Sequence, residues 1–176
     1  MMTSLVITLV GPDRPGLVSA VSDKAAEFGA NWADSLMANL AGQFAGIVHL
    51  QVVAKDADNL MEALRKLQSP GMMISVAKGS VGAAAAPTRR LKLDLVGQDR
   101  PGIIRSISNQ LAQRGISIEK LKTEITSGAM SGEQMFQMNA VLVAPAAMDE
   151  DELRAGLEGL ANELMVDISL DDSGAA

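Results

Sequence analysis

"LVGPDRPGLVSAVS" (9–22) returns as "LVGQDRPGIIRSIS" (95–108), 86 positions later. In each copy an apolar run ends at a glycine, Asp-Arg-Pro-Gly follows, and apolar residues then recur at helical spacing. Leu17, Val18, Val21 and Ala25 correspond to Ile103, Ile104, Ile107 and Leu111, one face of a helix in each case. Gly29 and Gly115 stand where such a helix ends in a left-handed residue. Self-similarity at a fixed offset means one supersecondary unit written twice.

Working outward from the repeat, each copy reads in the same order. The run 5–10 and its counterpart 91–96 predict strands. In the second, Leu91, Leu93 and Leu95 alternate with Lys92 and Asp94, so one face is buried and the other wet. Helices over 15–28 and 101–114 come next, then strands over 31–41 and 46–54, and over 116–126 and 135–144. "GQFAG" (42–46) reads as the tip of the first hairpin and not as a dinucleotide loop. Beyond it the offset drifts from 86 to 90, which places about four extra residues in the Gly/Ser-rich tip 127–134. A second helix carries Leu60, Leu64 and Leu67, or Leu153, Leu157 and Leu160. Short strands over 73–76 and 165–168 close the copies. The order is βαββαβ, twice: an α+β chain of two ferredoxin-like units, each an antiparallel sheet with helices on one face only. The expected domains are 1–79 and 90–172, joined by a linker over 80–89, with a disordered tail at 173–176. The bare sheet faces and open edges favour a homodimer, or at minimum close pairing of the two units within the chain.

Composition excludes several functions. Of the 176 residues, 48% are hydrophobic, which fits a globular protein. The formal net charge of −6, with 2% aromatics, opposes direct nucleic-acid binding, because base-stacking sheets need exposed rings and a basic surface. No apolar run approaches a membrane span, and the first ten residues have no basic n-region. The expectation is a cytoplasmic protein without membrane contact. No cysteine is present, and a lone histidine, His49, makes a poor metal site. Trp32 reads as a core or interface anchor, and the acidic run 149–152 as the first turn of a helix. No nucleophile–base pair, phosphate loop or cofactor motif occurs, so neither catalysis nor a cofactor or metal is expected.

The repeated loop holds the candidate binding chemistry. Pro15 and Pro101 suit a first helical turn. The next N–H groups, of Gly16 and Leu17 or of Gly102 and Ile103, then face outward at the positive end of a helix, suited to a carboxylate. Asp13 and Asp99 either meet an ammonium or cap the helix. Arg14 and Arg100 either clamp a carboxylate or lie in solvent. Asn31 and Ser117 open the second strand of each copy and are placed beside the loop, where they bond a ligand or cap the preceding turn.

A βαββαβ unit whose first strand ends in G-x-D-R-P-G-[LI], as in "VGPDRPGL" (10–17) and "VGQDRPGI" (96–103), resembles the ACT domain. Two such units covering almost the whole chain resemble the glycine cleavage system transcriptional repressor family. The loop motif is similar to those of formyltetrahydrofolate deformylase amino-terminal regions and of uridylyltransferase-type sensors, whose catalytic domains have no counterpart in this sequence. The resemblance implies sensing of a small amino acid at interfaces between ACT units, glycine or serine being favoured. For the repressor branch it also implies control of a LysR-type activator through protein contact. The competing function is a purely structural dimerisation module that answers to no ligand.

Overall fold

The computed structural model describes residues 1–79, 87–127 and 133–172. The chain divides into two compact units, Met1–Ala83 and Ala84–Ala176. The first contains β1 (Met2–Pro12), α1 (Leu17–Glu27), β2 (Asn31–Leu40), β3 (Gln43–Val53), α2 (Ala57–Arg65) and β4 (Met73–Lys78). The second repeats the order with β5 (Thr88–Gln98), α3 (Ile103–Ala112), β6 (Ser117–Ser127), β7 (Gln134–Pro145), α4 (Glu150–Leu164) and β8 (Val166–Asp172). Each unit has one antiparallel four-stranded sheet, ordered β2-β3-β1-β4 or β6-β7-β5-β8. The two ferredoxin-like units expected from the repeat are present.

Alternation on the strands decides which face is covered. Leu5, Ile7 and Leu9 of β1 are buried, as are Val48, Leu50 and Val52 of β3. They meet Leu17, Val21 and Ala25 of α1 and Leu60 and Leu64 of α2 in one core. Leu91, Leu93 and Leu95 do the same in the second unit, against Ile103, Ile107, Leu111, Leu153 and Leu157. Trp32 is half-buried against the first core, with its ring N–H 3.2 Å from Ser35 Oγ. The helix ends at Gly29 and Gly115 are as expected. Both glycines have positive φ (61° and 67°), and Ala30 and Ile116 donate back to Ala25 and Leu111. The acidic run caps α4, where the Asp149 carboxylate accepts from the Asp151 and Glu152 N–H groups at 3.0 and 3.2 Å.

Several boundaries differ from the sequence reading. α1 and α3 start at Leu17 and Ile103, two residues later than the prolines, because Gly16 and Gly102 have φ of 91° and 99° and cannot be helical. The first hairpin turns at Ala41–Gly42, both at positive φ, as a two-residue loop of the twisted hairpin type. Gln43–Gly46, read as the tip, is already strand. β5 begins at Thr88, inside the expected linker, and Ser127 and Gln134 of the expected tip belong to strands. Met165 is left-handed (φ 53°) and precedes β8 instead of opening it. The rest of the linker, tip and tail (80–86, 128–132 and 173–176) lies outside the described residues.

The uncovered sheet faces of the two units differ in chemistry. On the second, Arg90 pairs with Glu119 and Lys92 with Asp94, each at 2.8 Å, and Asn139 donates to Asp94. The Lys92 ammonium, and after it the Asn139 amide, hold the Asp94 carboxyl below its ordinary range. On the first, the matching position is Thr8, between Ile47 and Ser75.

Gly11 packs its backbone against the α2–β4 connection: a Cβ there would lie 2.8 Å from Gly71 O and 3.0 Å from Met72 Cα. Gly11→Ala should therefore cost about 1–3 kcal/mol in urea unfolding. Ala41→Asn should gain roughly 0.5–1 kcal/mol in the same assay, since Asn tolerates positive φ in such turns. A carboxyl with a depressed folded-state pKa stabilises above its unfolded pKa of about 3.9 and loses that contribution as pH falls through and below that value. Calorimetric melts between about pH 5 and pH 2 should thus show a smaller fall in Tm for Asp94→Asn than for the native chain.

Candidate ligand-binding loops

Each repeated loop lies where β1 or β5 leaves its sheet. In the first unit the Asp13 N–H donates to Gly42 O at 3.0 Å, fixing the loop to the β2–β3 turn. The Asp13 carboxylate accepts from the Asn39 amide near the end of β2. The Arg14 guanidinium donates to Ser69 Oγ at 2.8 Å, in the α2–β4 connection. Three chain segments thus converge on residues 13–16. In the second unit the Asp99 N–H donates to Gln134 O at 2.9 Å, and Arg100 donates to Gln98 Oε1 at 3.1 Å. Arg100 also lies 4.0 Å from Met165 Sδ. The Asp99 side chain has no partner among the described residues.

Neither aspartate caps its helix. Gly16 and Gly102 occupy the cap positions, and no side chain bonds the first turn of α1 or α3. Ala20 and Ser106 make the first helical bonds, back to Gly16 O and Gly102 O. The N–H groups ahead of the ladder therefore belong to 17–19 and 103–105, one residue further on than the sequence implied. Leu17 and Ile103 contribute those N–H groups only, since their side chains are core. Nothing in the structure lies within 4 Å of where a Cβ on Gly16 or Gly102 would stand, so the space over each cap is open. Their positive φ makes any side chain there strained, and a Gly16→Val or Gly102→Val exchange would report backbone strain together with any loss of binding.

Asn31 and Ser117 are not beside these loops. Asn31 pairs with Gln51, which pairs with Ser4, eight strand positions from Pro12. Ser117 is set equally far from Gln98 through Val143 and Arg90. At about 3.3 Å per residue the separation is roughly 25 Å, because β2 and β6 run from the far end of the sheet towards the loop. The residue that does reach the loop from β2 is Asn39. Its counterpart at the 86-residue offset is Ile125, so the repeat carried no signal for it. The repeat did carry Gly11 and Gly97, which have no side chain where Gly71–Met72 and Val166 pack close.

Other sequence candidates sit elsewhere. His49 faces away from the helices with Nε2 3.0 Å from Ser4 Oγ. No group of three or more possible metal ligands occurs among the described residues, and none of their helices is long and apolar enough to cross a membrane. A shallow cavity of about 400 Å³ on the uncovered face of the second sheet, lined by Asp94, Gln137, Asn139, Asp167 and Ser169, was not foreseen.

Comparison with known proteins agrees with this architecture. The ACT domain profile matches residues 3–77. A Streptococcus mutans protein of the UPF0237 group is 30% identical over 81 residues, which span 46% of this chain and 85% of that protein. The crystal structure of an unknown protein from Galdieria sulphuraria superposes with a TM-score of 0.87 at 32% identity, over 98% of this chain and 99% of that one. A candidate glycine cleavage system transcriptional repressor shares the fold, with a TM-score of 0.66 at 20% identity over 97% of each chain. With the profile on the first unit and the same topology and loop in the second, the chain belongs to the ACT domain family and carries two ACT units in tandem.

Proposed function

We propose that this chain is a non-catalytic, cytoplasmic regulator that binds a small amino acid at its Asp-Arg-Pro-Gly loops and acts as a homodimer through a protein partner. The observation that carries the reading is the open space over Gly102 at the start of α3, ahead of the unladdered N–H groups of 103–105, in the loop that also contains Asp99 and Arg100. A carboxylate at the helix start and an ammonium at Asp99 complete one zwitterion, and the small approach over the glycine favours glycine or serine. The second loop is the better site. In the first, Asp13 and Arg14 are engaged with Asn39 and Ser69, and the advantage that Asn31 offered is lost with its distance. Asn31 and Ser117 are accordingly not assigned to either loop.

The regulated process is read from likeness. The fold shared with a candidate glycine cleavage system transcriptional repressor supports control of glycine or one-carbon metabolism. A LysR-type activator as the protein partner rests on the resemblance of the two loop motifs to that repressor family alone. The net charge of −6 favours such protein contact over direct contact with DNA. The engaged side chains of the first loop favour a second reading, that of a structural dimerisation module without a ligand.

A thermal-shift screen of the twenty amino acids separates the two. A ligand at about 100 times its Kd stabilises the folded state by about 2.7 kcal/mol. At about 2–4 °C per kcal/mol this raises the melting temperature of the responding transition by roughly 5–10 °C. Arg100→Ala and Asp99→Ala should abolish the shift, and Arg14→Ala should keep most of it. If no amino acid at millimolar concentration moves the melt, the module reading replaces the sensor.

A further inference from the structure

The two sheets share topology and inward-facing residues, yet their outward faces have diverged. On the first, β1 turns Ser4, Val6, Thr8 and Val10 outward and β3 turns Ala45, Ile47, His49, Gln51 and Val53 outward, with Ser4, His49 and Gln51 forming a polar end away from the β2–β3 turn. The neighbouring strands add Leu36, Leu40 and Met73. Leu36, Leu40, Ile47 and Met73 are 58%, 75%, 51% and 68% exposed. Leu36 lies directly opposite Ile47, which lies opposite Thr8, so the patch runs continuously across the strands. No lysine or arginine points from this face, and its one carboxylate, Asp34, sits on the edge strand at a bulge. The same face of the second sheet carries the Arg90–Glu119, Lys92–Asp94 and Lys122–Glu124 pairs. The second face therefore carries three ion pairs, whereas the first is apolar over the part nearer the β2–β3 turn.

We infer that the outward face of the first sheet is the surface through which two copies of this chain associate, sheet against sheet, while that of the second sheet stays in solvent. This rests on the homodimer proposed above and names its interface. Contiguous apolar patches beyond a few hundred Å² are uncommon on monomers. Three strands of 10 or 11 residues and the 6-residue β4, about 4.8 Å apart, outline a whole face, polar end included, of roughly 600 Å². Side-chain relief raises its accessible area towards the roughly 800 Å² per partner of a stable complex. The choice of a second copy follows from charge. An isologous contact sets a face against its own image, so like charges would meet, and this face has no lysine or arginine, one histidine (His49, bonded to Ser4) and one peripheral carboxylate beside it. It also lacks charges with which to steer or select a differently charged partner. Packed sheets keep about 10 Å between them, the spacing that Leu36, Ile47 and Met73 side chains fill.

The test is the molar mass of the full chain by sedimentation equilibrium at micromolar concentration. The native chain should give twice its 18.4 kDa. Ile47→Lys and, separately, Leu36→Ser should lower the mass to 18.4 kDa while leaving the circular dichroism of the folded chain unchanged. Val96→Lys, on the equivalent face of the second sheet, should leave the dimer intact. A native dimer that survives both first-sheet variants, or one that Val96→Lys dissociates, overturns the interface and leaves the homodimer standing. A native chain that is monomeric overturns both. Since the amino-acid thermal shift is read independently of mass, neither result bears on the ligand.

Discussion

The central strand of each unit constrains everything else. β1 is paired on both sides, to β3 and β4, and β5 likewise to β7 and β8, so their period of two is imposed on the neighbours. Leu5, Ile7 and Leu9 face the helices because a one-residue slip would bury Val6 and Thr8 instead and expose the leucines. The glycine at the end of this strand, Gly11 or Gly97, then lets the neighbouring chain, at Gly71–Met72 or at Val166, pass close beside it just before the loop begins. Strand register, the helix-facing core and the position of the Asp-Arg-Pro-Gly segment are thus consequences of one alternating run.

Much of this was legible in the sequence, for a physical reason. Alternation in "LKLDLV" (91–96) and helical spacing through Ile103, Ile107 and Leu111 are local patterns, and the repeat supplied each twice. What the pattern concealed was backbone conformation. Pro15 looked like a first helical residue because its φ suits a helix, but Gly16 after it is left-handed, and that moved the helix start by two residues and the free N–H groups by one. The Asp13–Asn39 bond was invisible because it joins residues 26 positions apart without a matching pair in the second copy. Asn31 was misplaced for a related reason: its order in the chain follows the helix closely, but a strand that starts at the far end of the sheet carries its first residue away from the loop.

Duplication allowed the two units to separate their tasks without disturbing the fold. Helix-facing positions must still fill a core, so leucine and isoleucine persist in both. Outward positions and loop side chains carry no such demand. There one copy has Thr8 and Ile47 where the other has Asp94 and Asn139, and one loop is tied to Asn39 and Ser69 where Asp99 of the other has no side-chain partner among the described residues.

The glycine caps have a dynamic consequence. α4 begins with a carboxylate holding two of its N–H groups, whereas α1 and α3 begin on residues that hold none. A first turn without an acceptor opens more easily than a capped one, so these two turns belong to the low-stability end of their units. An anion that settled on one of them would act as the absent cap and would slow amide exchange there first. A chain built this way registers a bound solute as a change in local order before any strand or helix has moved.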